Sequence, residues 1–221
     1  LSRMIKSDRV PHAILFVGPS GCGKTTLARI MRKKVGCGLQ DFDEVNCADF
    51  RGIDMVRAIG SQMNLAPMSG KSKVWLIDEC QKLTSDGQAA MLKMLEDTPE
   101  HVYFFLATTD PQKLLPTIRT RCTEIKVSLL NPKQMEELLC KVCELEKWTI
   151  QHLELIECIV EKAEGSARKA LVLLHQVMGL NRHEDQMAAL AKADTKTQAI
   201  QLARLLITPK PNWNEVAKIL K

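Results

Sequence analysis

Aromatic side chains are scarce in this chain: five Phe, three Trp and one Tyr make up 4% of 221 residues. A surface that stacks successive bases of a single strand needs more than that, so any nucleic acid would be held by its backbone. Long apolar runs are missing as well. The longest fall far short of the roughly 20 residues that cross a bilayer, and the start does not read as a signal peptide. A soluble intracellular protein without membrane contact is expected, cytoplasmic or nucleoid-associated. Charge of one sign is not in strong excess either. A net charge of +5 and a pI of 8.8 permit contact with nucleic acid without requiring it, and on composition alone they describe an ordinary solvated surface.

Paired metal-ligand motifs are also lacking. The eight cysteines sit in apolar segments rather than in a small loop-rich scaffold, which favours reduced thiols. Cys37 and Cys47 are too far apart for a C-x-x-C pair. Cys140-x-x-Cys143 has ligand spacing but stands alone on a predicted helix, so its thiols read as buried apolar groups and no zinc is expected.

What is present is Gly18-Pro19-Ser20-Gly21-Cys22-Gly23-Lys24-Thr25, a G-x-x-x-x-G-K-[ST] phosphate-binding loop. It follows the strand-like run Ala13-Ile14-Leu15-Phe16-Val17 and opens into a helix-forming stretch from Thr26 to Met31, the context such a loop requires. Its glycines let successive N–H groups turn inward, where a helix N-terminus adds its positive dipole end. Lys24 would reach the β and γ phosphates of ATP, Thr25 would hold Mg²⁺, and the whole loop from Gly18 to Thr26, Ser20 and Cys22 included, would line the phosphates.

Further on, Val74-Trp75-Leu76-Ile77 ends in Asp78-Glu79. An apolar strand of a parallel sheet delivers such acids at its C-terminal end, where ligands bind. Asp78 would hold Mg²⁺ through water and Glu79 would orient the attacking water. The next apolar strand, Val102 to Ala107, ends in Thr108-Thr109-Asp110. Thr109 is the candidate for sensing the γ phosphate or the attacking water; capping the following turn is its alternative role.

Between and after these motifs the chain alternates strand and helix. A helix from about Thr25 to Lys34 stops at Gly36-Cys37-Gly38. A short strand over Phe42–Ala48, helices over Ile53–Met63 and Ser85–Leu95, and a last strand over Ile125–Val127 complete a three-layer α/β domain. Leu129-Leu130-Asn131-Pro132 breaks the pattern, and Lys133–Lys147, Ile150–Glu161 and Ser166–Met178 fit amphipathic helices. Residues 181–194 read as a polar connector, and 195–221 carry two further helical patterns. The opening residues resemble a helix tail that does not start with Met and has no cap, and the last pattern is cut short, so sequence beyond both ends is expected.

The motifs Gly18 to Thr25, Leu76-Ile77-Asp78-Glu79, Leu106 to Leu114, Thr120-Arg121-Cys122 and Gly165-Ser166-Ala167-Arg168-Lys169-Ala170-Leu171 occur in the order and spacing of clamp-loader ATPases of the AAA+ class. Between Val74 and Leu174 the chain resembles the bacterial gamma/tau subunits of the DNA polymerase III clamp loader. Asn46 to Arg57 is more similar to the small subunits of replication factor C. The resemblance implies a P-loop AAA+ domain over 1–128, a helical lid over 129–180, and a linker with the start of a helical collar over 181–221.

It also implies roles for particular residues. Arg121 would be an arginine finger acting in the site of a neighbouring subunit, worth ~10³ to 10⁵ in rate. Arg168 would reach the γ phosphate of its own chain, Asn46 would restrain Glu79 until DNA binds, and Val10 and Pro11 would touch the adenine. Arg51, Arg57 and Lys82 are candidates for contacting the DNA backbone. The implied partners are a sliding clamp, primer-template DNA and other subunits of a homo- or heteropentamer. The bacterial subunits carry a four-cysteine zinc module that this sequence lacks. Two alternatives stay open: a nucleotide-binding scaffold subunit that hydrolyses little, and a different AAA+ DNA-processing ATPase such as a branch-migration motor.

Overall fold

In the computed structural model of the chain, residues 10–148, 153–180 and 182–191 are described. The opening helix tail over 1–9, the helical patterns of 195–221 and with them the start of the collar lie outside the described residues. The chain divides into two compact units between Ser128 and Leu129.

The first unit holds five parallel strands: β1 (Ala13–Val17), β2 (Cys37–Asn46), β3 (Ser72–Asp78), β4 (Val102–Thr108) and β5 (Thr123–Lys126), in the spatial order β2-β3-β4-β1-β5. Helices connect them: α1 (Lys24–Lys34), α2 (Ile53–Met63), α3 (Ser85–Glu96) and the short α4 (Pro116–Arg121). Because helices cover both faces, the central strands are apolar throughout rather than alternating. Ile14, Phe16, Val74, Leu76 and Phe105 face one layer with Ala28 and Met31 of α1. Leu15, Trp75, Ile77, Phe104 and Leu106 face the other with Val56 and Ile59 of α2 and Met91 and Met94 of α3. Adjacent residues of one strand thus anchor opposite layers.

Strand β2 starts five residues earlier than the apolar pattern indicates, and Cys47 and Ala48 fall in the turn after it. Cys37 pairs with Ser72, then the register shifts before Phe42 meets Val74. That irregularity carries Asp41 inward to 2% exposure. Its carboxylate accepts hydrogen bonds from Met68 N (2.6 Å), Ser69 N (2.7 Å) and Ser69 Oγ (2.9 Å), pinning the turn before β3. A sequence pattern scores Gln40 and Asp41 as polar loop; their strand character comes from this long-range contact.

The second unit is helical: α5 (Pro132–Leu145), α6 (Leu153–Ala163) and α7 (Ala167–Met178). Asn131 and Gln134 form a reciprocal cap at the start of α5, with Pro132 in the first turn. Gly165 sits at φ 80°, and a Cβ there would lie 2.8 Å from Leu130 O, so the turn into α7 requires glycine. Residues 183–191, read above as part of a connector, form a further helix. Its Leu190 is fully buried with Leu139, Ile159 and Leu174, and Gln186 Nε2 donates to Val177 O and Leu180 O. Two large apolar residues, Met187 and Leu190, are too little signal to mark it.

Burial opposes the charge on Asp41, but the N–H groups of Met68 and Ser69, the Ser69 hydroxyl and the Lys73 charge outweigh it and hold the carboxyl below its ordinary value of 3.8. A depressed folded-state pKa stabilises above the unfolded value and is lost as pH falls through the folded one. Asp41→Asn should therefore lower stability by about 1–2 kcal/mol at pH 7, with the gap narrowing below about pH 4. Urea midpoints at pH 7 and pH 3 check this.

Candidate nucleotide site

The sheet order sets the tips of β3, β4 and β1 side by side. Ile77 pairs with Leu106 and Val17 with Thr108, so the phosphate-binding loop after β1 and the acids after β3 flank the tip of β4 at the carboxyl edge of the sheet. Gly18 N donates to Thr108 O at 3.2 Å, tying the loop to that tip. A Cβ on Gly18 would lie 2.0 Å from Val127 O, an approach only glycine permits. Gly21 and Gly23 take φ 75° and 98°, left-handed backbone that turns the chain into α1. Pro19 and Ser20 shape the entry to the turn, and Cys22 is buried beneath it.

Helix α1 starts with no side-chain cap and no acid in its first turn. Its first N–H groups, those of Thr25 and Thr26 among them, and the positive end of the helix therefore face the loop, where an anion is stabilised. Lys24 is 6% exposed, and its Nζ donates to Gly18 O and Pro19 O, both at 2.8 Å. The ammonium is folded over the loop with neutral acceptors, which phosphate oxygens outcompete.

Thr25 Oγ1 donates to Asp78 Oδ2 at 2.7 Å. A hydroxyl and a carboxylate in contact at the mouth of the loop form an all-oxygen donor set suited to Mg²⁺ beside bound phosphates. Asp78 Oδ1 accepts from Glu79 N at 2.8 Å. Glu79 is held at φ 52°, a left-handed backbone that costs on the order of 1 kcal/mol in a residue with a Cβ. Its Oε2 accepts from Gln81 Nε2 at 2.6 Å and lies 3.9 Å from Lys82 Nζ.

Gln81 also donates from Nε2 to Thr109 Oγ1 at 2.9 Å and accepts from Thr108 Oγ1 at 2.7 Å. The turn after β4 is capped by other residues. Asp110 Oδ1 accepts from Gln112 N, and Thr108 Oγ1 accepts from Asp110 N. That leaves the Thr109 hydroxyl at the site rather than in the turn.

Burial pushes the Cys47 thiol up to about 12, with the charges of Asp78 and Glu79 adding to it; burial likewise raises Cys80 well above its ordinary range. Both thiols stay protonated packing groups. Among the described residues no cluster of three or more His, Cys, Asp or Glu side chains is arranged to hold a metal, and no helix is long and apolar enough to cross a membrane.

Arg121 lies elsewhere. It ends α4 just before β5, whose Thr123 pairs with Ile14 at the opposite end of β1 from the loop. Its guanidinium pairs with Glu96 at the end of α3 and is 39% exposed. Parallel strands thus set Arg121 at the sheet edge away from its own phosphate-binding loop. Arg168 is exposed in the first turn of α7 in the second unit.

Asn46 ends β2 opposite Asp78, but its Oδ1 accepts from Ala48 N at 2.9 Å; Gln81, not Asn46, holds the Glu79 carboxylate. Arg51 Nε donates to Ala48 O and Arg51 O accepts from Thr84 N, which brings this loop beside the segment of Lys82. Arg57 stands one turn into α2, exposed and weakly paired with Asp54 at 3.8 Å.

Val10 lines a cavity with Lys34, Gly36 and Tyr103, at the far end of α1. That end of α1 is a helix length, about 16 Å, from Lys24.

A family model described as DNA polymerase III, delta subunit matches residues 48–131, a window that holds Asp78, Glu79, Thr109 and Arg121. Over 201 residues the chain is 33% identical to the DNA polymerase III subunit gamma/tau of Mycobacterium tuberculosis, covering 80% of this chain and 35% of that protein. It is 33% identical over 199 residues to the Escherichia coli subunit tau, covering 80% and 31%, and 31% identical over 202 residues to that of Bacillus subtilis, covering 82% and 36%. The chain is a relative of the clamp-loader ATPases. It spans about a third of the length of these relatives. Its fold is also that of the RuvB Holliday junction branch migration motor of Thermotoga maritima, at a TM-score of 0.63 and 21% identity, covering 100% of this chain and 64% of that one; that likeness is one of AAA+ fold alone.

In this clamp-loader relative, sequence reasoning missed Gln81 and Thr108. Neither carries a spacing signal. Gln81 lies on a three-residue turn, Cys80–Lys82, and only the sheet order sets that turn beside the tip of β4. Gly18→Ala should destabilise the protein by about 1–3 kcal/mol by overpacking against the Val127 carbonyl, whereas Gly179→Ala, where an added Cβ meets nothing within 4 Å, should be near neutral. Chemical denaturation of both variants checks this.

Proposed function

We propose that this chain is an ATPase subunit of a DNA sliding-clamp loader. The observation that carries the reading is the division of charged machinery between the two sheet edges. Lys24, Thr25, Asp78, Glu79 and Thr109 gather at one edge, while Arg121 stands exposed at the other. A site built this way is completed only when a neighbouring copy or partner subunit delivers its arginine.

Bound ATP would lie with its phosphates over Gly18 to Thr26 and its γ phosphate between Lys24 and Thr109. Mg²⁺, held by Thr25 and through water by Asp78, would neutralise phosphate charge. Glu79 accepts a hydrogen bond from the attacking water and aligns it; Arg121 of a neighbour balances the charge that develops on the γ phosphate. By resemblance Arg168 is assigned to the nucleotide, with 129–180 as a lid and 181–221 leading into a collar. The relatives are subunits of DNA polymerase III, which supports a role in replication in the cytoplasm or at the nucleoid. ATP binding would let a pentameric assembly grip and open a clamp. Primer-template DNA, held through its phosphates by Arg51, Arg57 and Lys82, would trigger hydrolysis and release.

The test is complementation. Lys24→Ala should abolish ATP binding, and Arg121→Ala should leave binding intact while lowering turnover ~10³-fold or more. A mixture of the two variants pairs an intact loop with an intact arginine and should recover part of the wild-type turnover, rising with protein concentration and again with primer-template DNA. A mixture no more active than its components, with turnover indifferent to concentration and DNA, would rule the reading out.

A further inference from the structure

We propose that Gln81 is a positioning residue that sets the hydrogen-bond polarity of the site, orienting Glu79 as an acceptor and Thr109 as a donor through one amide. The inference rests on the reading of Glu79 as the group that aligns the attacking water. Its starting point is a closed accounting of donors and acceptors. An ionised carboxylate can only accept, so the Gln81 atom 2.6 Å from Glu79 Oε2 is the amide nitrogen. That assignment also fixes the other end of the amide. The carbonyl Oε1 faces Thr108 Oγ1 at 2.7 Å, and Thr108, fully buried, already accepts from Asp110 N with one lone pair. Its hydroxyl proton is therefore directed to Gln81.

The second amide hydrogen goes to Thr109 Oγ1 at 2.9 Å. A threonine hydroxyl that accepts there keeps its own proton to give elsewhere, and Thr109 is exposed at the tip of β4, which the phosphate-binding loop adjoins. Glu79 in turn keeps Oε1 as an acceptor for water. One side chain on the turn after β3 thus assigns opposite roles to two groups that must act together: Thr109 donates to an anionic phosphate while Glu79 accepts from water. Without Gln81, the Thr109 hydroxyl could donate to Glu79 instead, which would spend the carboxylate and turn the donor away from phosphate. The backbone of Glu79, held at φ 52°, restricts its direction but not the rotation of its carboxylate; Gln81 supplies that second restraint.

The test uses the full-length protein in its assembly, with ATP binding and single-turnover hydrolysis measured separately. Gln81→Leu removes every polar contact, and Gln81→Glu keeps shape and volume but cannot donate. Both should lower the hydrolysis rate ~10-fold or more, a modest share of what a positioned proton acceptor contributes, while leaving ATP affinity within about twofold of wild type. Thr109→Val should cost less in a Gln81→Leu background than in the wild type, because the two act as one unit. Wild-type hydrolysis in Gln81→Glu would overturn the inference by reducing Gln81 to packing, and so would fully additive losses. Glu79→Gln separates the two levels. If it hydrolyses ATP at the wild-type rate, the reading of Glu79 itself fails; if it is inactive while Gln81→Leu is unaffected, only the role of Gln81 fails.

Discussion

Five strands that all run the same way give a sheet two unlike edges, and in this chain that one constraint distributes the chemistry. Every strand that ends in a reactive group presents it at the carboxyl edge: the loop after Val17, Asp78 and Glu79 after Ile77, Thr108 and Thr109 after Ala107. Every segment that returns from a helix enters at the opposite edge, and Arg121 is such a segment. An antiparallel pairing of β5 would have moved Arg121 toward its own loop. The separation of Arg121 from its own loop is thus a consequence of strand direction, and it would survive many substitutions in the surrounding side chains.

Much of this was legible in the sequence because it is local. The phosphate-binding loop, the acids after β3 and the amphipathic helices of the second unit are each written in a window shorter than 15 residues, and the periods of strand and helix resolve them. What was not legible depends on contacts across long stretches of chain. The early start of β2 depends on Asp41 reaching Met68 and Ser69; the helix over 183–191 depends on Gln186 and Leu190 finding a core formed by α5 to α7. Gln81 belongs to the same class. Its neighbours Thr108 and Thr109 are 27 and 28 positions away, and the sheet order that unites them is not a periodic property of any window.

Resemblance is least informative at residues whose placement a motif does not control. Val10 and Pro11 precede β1, and a residue before a parallel strand enters at the edge away from the phosphates. The resemblance assigns Asn46 to Glu79, and Asn46 does lie across from Asp78. A short polar side chain at a strand end, however, bonds its own following backbone readily, and Asn46 does so with Ala48 N. The longer Gln81, which can leave its own backbone, takes the carboxylate.

The electrostatic arrangement explains why so acidic a strand tip can be tolerated inside a folded sheet. Asp78 receives the Thr25 hydroxyl and the Glu79 amide, and Glu79 receives the Gln81 amide with Lys82 nearby, so each carboxylate has donors before any ligand arrives. The groups beneath them are thiols, Cys47 and Cys80, which burial keeps protonated and which therefore add no charge. A carboxylate or imidazole at either position would compete for the same donors. The sheet interior is thereby kept neutral directly under the acids, and their charge is directed outward to the edge where a phosphate and its cation would be held.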